Sequence, residues 1–310
     1  MSRPIRPPLL IYHTSFLPYL PFALWQNSKA HPERQVILLG DRTNRCHGID
    51  YAHQDVAEYQ KQNKKFIQVY RHAVDAHFGD ERRCIERWFV LDEFLKRAGL
   101  ESFYFLDSDY LLLEGLEKQE QRGLPREPWG TPHLFGLAFF PDADWVHRLC
   151  AWILDLYRNE SRFLAVKSQL ASEGWGLQEM GLIRAFCREV GIHVESRAWQ
   201  QNPENACFDN GHFGSSYQHN REVFDSLRQA RAGGPVIGWD GQRHRQLLGL
   251  HFGGNNKSQI PGFTGWSPAV IRAFFRPNYR KNLKYLCQYL WHGLRCRTQL
   301  ARPEPVSAKA

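Results

Sequence analysis

Apolar residues in this chain fall into short unbroken runs and longer stretches at helical spacing. Residues 8–13, PLLIYH, and 35–41, QVILLGD, are apolar nearly throughout. Runs of this length without alternation predict strands covered on both faces, as in a parallel sheet. Segment 64–70, KKFIQVY, is read as a third strand on the same grounds. A helix is expected after Pro18, over FALWQNSKA. Between 82 and 98 the period changes: Ile85, Trp88, Phe89 and Leu95 recur every three or four residues, and Leu91 and Phe94 widen the stripe. That spacing predicts an amphipathic helix ended by Gly99.

Further strands are predicted at 102–106, 133–140, 192–196, 235–239 and 247–252. A helix over WVHRLCAWILDLY should be capped by Asp142 or Asp144, and another over 176–190 should stop at Gly191. Strand–helix alternation over the first 110 residues argues for βαβ units. The fold class expected is α/β, a Rossmann-type mixed sheet flanked by helices. Its domain spans 1–266, and a basic, aromatic helical tail with a loose end spans 267–310.

The totals sharpen this picture. At 310 residues and 43% hydrophobic, the chain builds a sizeable core, which excludes global disorder. No run approaches the roughly 18 apolar residues of a membrane span. The first residues lack the apolar segment and cleavage site of a secretory leader. The seven cysteines show no C-x-x-C spacing, so reduced thiols are expected. The formal charge of +8 is concentrated in 272–302, which holds Arg272, Arg276, Arg280, Lys281, Lys284, Arg295, Arg297 and Arg302 and no acidic residue. Interleaved aromatics there suit an anionic membrane surface, or a helix that packs its rings on the core. No nucleic-acid recognition motif accompanies the charge. A cytoplasmic protein, peripheral on the inner membrane face through its tail, is the expectation.

Asp107-Ser108-Asp109 interrupts one of the most apolar stretches of the chain, SFYFL on one side and YLLL on the other. In an open α/β sheet, ligands gather at the carboxyl ends of strands, where this pair would project. Two crowded carboxylates repel unless a cation lies between them, and hard oxygen donors suit Mn²⁺ or Mg²⁺. The same spacing in Asp142-Ala143-Asp144 has a simpler reading as a helix cap, and a solvated turn is the alternative for Asp107 and Asp109. The late segment LHFGGNNK changes the balance, with His251 ending a strand before Gly253, Gly254 and Lys257. Imidazole ligates Mn²⁺, glycines admit a phosphate, and lysine neutralises a departing diphosphate.

With both segments in place, the chain resembles the GT-A glycosyltransferases, which use nucleotide-diphosphate sugars. That family carries a D-x-D after a strand and, in many retaining members, a late His-x-x-Gly-x-x-Lys. The resemblance implies Mn²⁺ or Mg²⁺ held by Asp107, Asp109 and His251. It puts Ser108 near the ribose, Lys257 and Gly254 at the diphosphate, Arg87 at the donor, and His13, Thr14, Ser15 and Asp41 around the nucleotide. A UDP-sugar donor, a retaining outcome and a glycan or lipid-linked glycan acceptor are implied. Ser258-Gln259 follow the lysine where several of these families have Pro-Trp.

Glu179 is the first candidate for the catalytic carboxylate and Asp209 the second; each also reads as ordinary structure, a first-turn acid and a turn residue. Arg87 equally suits a solvated helix margin. Trp175, Phe208 and Trp239 are candidate sugar-stacking rings. Two other functions fit the same residues: a nucleotide-sugar-binding protein without turnover, and a metal-dependent phosphohydrolase.

Overall fold

The structure, a computed structural model, describes residues 6–73, 78–113, 116–121, 128–130, 136–192, 195–196, 206–208, 236–239, 244–252, 257, 260 and 264. Strands β1 (Leu9–His13), β2 (Val36–Gly40), β3 (Ala52–Asp55) and β4 (Phe103–Leu106) run parallel in the order β3-β2-β1-β4. Beyond β4, β7 (Leu137–Phe140) is antiparallel to both β4 and β6 (Trp129–Gly130), and β8 (Glu195–Ser196) closes the sheet. The sheet is therefore mixed. A smaller sheet joins β5 (Tyr110–Leu112), β11 (His244–His251) and β10 (Ile237–Trp239), with β9 (Ala206–Phe208) pairing β11.

The unbroken apolar runs are explained by cover on both faces. Leu10, Ile37, Leu39, Phe103, Phe105, Ala138 and Phe140 face one core. It is shared with α2 (Lys61–Val69), α3 (Phe78–Ala98), α5 (Asp144–Arg158), α6 (Glu160–Ser172) and α7 (Glu179–Glu189). The alternate residues Leu9, Ile11, Val36, Leu38, Tyr104, Leu106 and Phe139 face α1 (Leu20–Ala30) and α4 (Leu116–Gln121). Every β4 residue is buried, and each such side chain contributes about 1.5–3 kcal/mol of transfer free energy.

One element differs from its sequence-based expectation. Segment 64–70 is not a strand; residues 61–69 form helix α2. Asn63 and Phe66 are buried one turn apart, while Ile67 points to solvent at 41% exposure. Phe66 stacks on Phe89 of α3 with centroids 4.7 Å apart. The third parallel strand is instead the polar edge segment Ala52–Asp55, which carries no apolar signal. At α5 the N-cap position is Ala143, which makes no side-chain cap bond; Asp142, one residue earlier, accepts at Oδ1 from the Asp144 amide at 2.8 Å. The boundary near 266 and the stretch 272–302 lie outside the described residues. No described helix is long and apolar enough to cross a membrane.

Candidate metal and donor site

The parallel strands carry His13, Gly40 and Leu106 to the same edge of the sheet. Past Leu106 the chain turns through Asp107, Ser108 and Asp109, and the Tyr110 amide donates to the Asp107 carbonyl at 2.9 Å. The chain then enters β5, whose Tyr110 lies opposite His251 in β11. The Phe252 amide donates to the Asp109 carbonyl at 3.1 Å. This register brings residues 107, 109 and 251 together although 251 lies 144 and 142 positions after the other two. Asp107, Asp109 and His251 are 8%, 5% and 1% exposed.

One donor atom from each of these three side chains lies within 4.8 Å of the others. His251 Nε2 is 3.4 Å from Asp109 Oδ1 and 3.9 Å from Asp107 Oδ2. Ligands of an octahedral ion at about 2.1 Å are about 3.0 Å apart when adjacent and about 4.2 Å when opposite. Both separations fall in that range, so the Asp-Asp-His group could hold Mn²⁺ or Mg²⁺.

The outer oxygens are held by cations. Arg87 Nη1 donates to Asp107 Oδ1 at 2.7 Å, and Lys257 Nζ to Asp109 Oδ2 at 3.0 Å. The Gly136 amide donates to Asp107 Oδ2 at 3.1 Å, and its carbonyl accepts from the Asp107 amide at 2.8 Å. Burial pushes the Asp109 carboxyl up, but hydrogen bonds and charge from His251 and Lys257 overcome it and hold the pKa at about 2. The Lys257 ammonium is raised: burial lowers it, and Asp109 more than compensates. The three carboxyl groups of Asp107, Asp109 and Glu179 face two cations, Arg87 and Lys257, so acidic groups are in excess at the site. One divalent cation would turn that excess negative charge positive and favour a diphosphate.

Glu179 opens helix α7 and is 7% exposed. Its Oε1 accepts from Arg87 Nε at 2.6 Å and Trp88 Nε1 at 2.5 Å, and its Oε2 from Arg87 Nη2 at 2.9 Å. Burial and the charge of Asp107 push its pKa up to about 7, against the pull of Arg87. Arg87, raised by the two carboxylates against its own burial, stays a cation. Its guanidinium lies over the adjoining rings of Trp88 and Phe105, 5.7 and 5.2 Å from their centroids.

Ser108 Oγ is 2.9 Å from His13 Nδ1 and 3.1 Å from the Tyr19 hydroxyl. Burial, then the charge of Lys257, lowers the His13 pKa to about 4, so its ring is neutral. Asp41 accepts at Oδ2 from the Ser15 amide at 2.5 Å and at Oδ1 from Thr43. It thereby holds Ser15 at a φ of 71°, a left-handed conformation that costs a non-glycine residue about 1–2 kcal/mol. Thr14, Arg87, Ser108, Glu179, Lys257 and the Asp-Asp-His group line one cavity of about 410 Å³. Asp41 braces its wall through Ser15.

The structure thus brings together Asp107, Asp109, His251, Lys257, Ser108, Arg87, Thr14 and Glu179, with Asp41 beside them. Asp209, Gly254 and the side chains of Phe208 and Trp239 lie outside the described residues. Trp175 packs against the main core under Arg184, 5.6 Å from the ring centroid, and does not line the cavity. Tyr12, Tyr19 and Cys84 also line it and were not foreseen. Only their position beside the β1 turn or on the Arg87 helix hints at this. A second His-carboxylate group, His31, Glu33 and Glu117, lies at the other end of the sheet. Arg6 Nη1 bridges its carboxylates at 3.0 and 3.4 Å, which makes it an ion-pair cluster.

No protein-family model matches the chain, and no curated protein sequence does. Among solved structures, the fold is similar to the galactosyltransferase LgtC in complex with donor and acceptor sugar analogs. That likeness has 12% identity over 86% of this chain and 94% of that one, with a TM-score of 0.44. It is also similar to the WbbM bifunctional glycosyltransferase in its apo structure, with 10% identity over 89% of this chain and 52% of that one and a TM-score of 0.46. For mouse xyloside xylosyltransferase 1, apo form, the figures are 12%, 61%, 84% and 0.38. Likenesses of this degree concern the course of the backbone and assign no substrate or residue role.

Proposed function

We propose that the chain is a metal-dependent GT-A glycosyltransferase. It moves a sugar from a nucleotide-diphosphate donor, a UDP-sugar, to a glycan or lipid-linked glycan acceptor with retention of configuration. The observation that carries this reading is the convergence of buried Asp107, Asp109 and His251 beside Lys257, at the carboxyl edge of a sheet and on one cavity. A divalent ion held by the three would stabilise the charge of the departing diphosphate.

The chain's own groups divide the remaining work. Lys257, 3.0 Å from Asp109, sets a positive charge where a diphosphate oxygen would lie. Thr14 and the Ser15 turn braced by Asp41 border the nucleoside side, and Ser108 steadies the turn between His13 and Tyr19. Gly254 would let the backbone approach the phosphates. Both Glu179 oxygens are already engaged by Arg87 and Trp88, so within this reading Glu179 is a positioning residue. Asp209 is left as the carboxylate for the sugar side. A cytoplasmic enzyme whose 272–302 stretch meets an anionic membrane completes the proposal.

A thermal-shift panel of nucleoside diphosphates and their sugars, with Mn²⁺ or with EDTA, tests it. A ligand at 100 times its Kd should stabilise by about 2.7 kcal/mol. The expected result is a shift specific to one nucleoside diphosphate and dependent on Mn²⁺. Equal shifts in EDTA, or none across the panel, would sink the proposal. Release of phosphate from simple phosphoesters without an acceptor would favour a phosphohydrolase instead.

A further inference from the structure

Arg87 and Glu179 are 92 residues apart, on α3 and at the start of α7, yet form a two-pronged pair at 2.6 and 2.9 Å. Glu179 is buried and Arg87 half-buried, and the pair is anchored from both sides. Trp88 Nε1 donates to Glu179 Oε1 at 2.5 Å, and the Glu179 amide donates to Glu81 Oε1 at 2.8 Å. One edge of the guanidinium, Nε and Nη2, is thereby taken up by Glu179. Its remaining nitrogen, Nη1, reaches Asp107 Oδ1 at 2.7 Å. Asp107 Oδ2 faces His251 and the Gly136 amide.

We propose that Glu179 and Arg87 act as a positioning and charge-balancing pair that sets the orientation and affinity with which Asp107 takes a divalent cation. The inference rests on the metal-dependent reading above. Arg87 holds one oxygen of Asp107, which leaves the other to point at the ion. An arginine this close to a ligand also competes electrostatically with the ion. Glu179 offsets that competition by spreading the guanidinium charge over a second carboxylate. A two-pronged arginine–carboxylate fork is stiff as well as charged, so it fixes geometry in a way a lysine could not.

The pair makes predictions of opposite sign, which a purely structural role does not. Glu179→Gln leaves the Arg87 charge uncompensated beside Asp107 and should weaken Mn²⁺ binding. Arg87→Gln removes the cation that competes with the ion for Asp107 and should tighten binding. Each change should be about tenfold, the scale of one unit charge acting at short range in a partly screened site. The double variant should return to within about threefold of wild type, because the two charges cancel.

The measurement is Mn²⁺ affinity of the nucleotide-free full-length chain at pH 8, from the electron paramagnetic resonance signal of free Mn²⁺. Circular dichroism confirms that each variant is folded. Should Glu179→Gln fail to fold, Arg87→Gln against the double variant still decides the sign. If the single variants shift affinity in the same direction, or neither shifts it while wild type binds, the pairing is wrong and the metal reading stands. If wild type binds no Mn²⁺, the metal reading falls and this inference falls with it.

Discussion

Replacing Gly136 by alanine should damage the fold and the candidate metal centre together. Gly136 brackets Asp107 through both its amide and its carbonyl, and its φ is 83°. An added Cβ would lie 2.9 Å from Tyr110 Cδ2 and 3.3 Å from His251 Nδ1. The Tyr110 ring has no room to retreat, because it is fully buried and its other edge meets the backbone of Gly249, where a Cβ would lie 2.6 Å from Cε1. The left-handed backbone costs alanine about 1–2 kcal/mol. Overpacking against a ring that cannot move adds about 1–3 kcal/mol. The sum is about 2–5 kcal/mol, or a Tm lowered by roughly 4–20 °C at about 2–4 °C per kcal/mol.

Gly99→Ala is the control. Its φ is 62° and no atom lies within 4 Å of the built Cβ, so only the backbone cost applies. Calorimetry of both variants isolates the packing contribution. A Mn²⁺ titration of Gly136→Ala should show weakened binding as His251 is pushed aside. If Gly136→Ala loses no more stability than Gly99→Ala and binds Mn²⁺ like wild type, the rigid bracket around Asp107 does not exist.

Two further outcomes are expected. The His13 pKa is lowered to about 4 in the fold from an ordinary 6.5, so the unfolded chain binds the extra proton between those values. Stability is then fully present above pH 6.5 and falls as pH drops toward 4, by up to about 3 kcal/mol. His13→Asn keeps a polar atom for Ser108 without that titration, so its urea midpoint should drop less between pH 7 and pH 5; equal drops would remove His13 as the cause. Lys257→Met should weaken nucleoside-diphosphate binding at least about tenfold while Mn²⁺ still binds, since Asp109 Oδ1 faces His251 independently of Lys257. Loss of both by isothermal titration calorimetry would mean that Lys257 organises the site rather than meeting the phosphate.

Legibility in the sequence followed the range of the interactions. β1, β2 and β4 were readable because cover on both faces demands unbroken apolar runs. Segment 64–70 misled because Phe66-Ile67 and Val69-Tyr70 suit a strand or a helix, and only the exposure of Ile67 and the stacking on Phe89 separate the two. β3 was invisible because an edge strand with polar residues needs only its backbone to pair with β2. Asp107, Asp109, His251 and Lys257 were legible because carboxylates amid apolar residues and glycines before a lysine each suggest a specific chemistry. Their convergence depends on the long-range pairing of Tyr110 with His251, which no local pattern encodes. The tie between Arg87 and Glu179 left no trace, since an arginine on an amphipathic helix looks solvated whichever way it turns.

The most direct test of the account is a count of Mn²⁺ bound per chain, with and without a nucleoside diphosphate. Wild type and the single variants Asp107→Asn, Asp109→Asn and His251→Ala should be compared with the triple variant. The account predicts one ion on the wild-type chain, held more tightly when the nucleotide is present. It predicts weakened binding in each single variant and none in the triple variant. An undiminished ion on the folded triple variant would place the metal elsewhere and contradict the account.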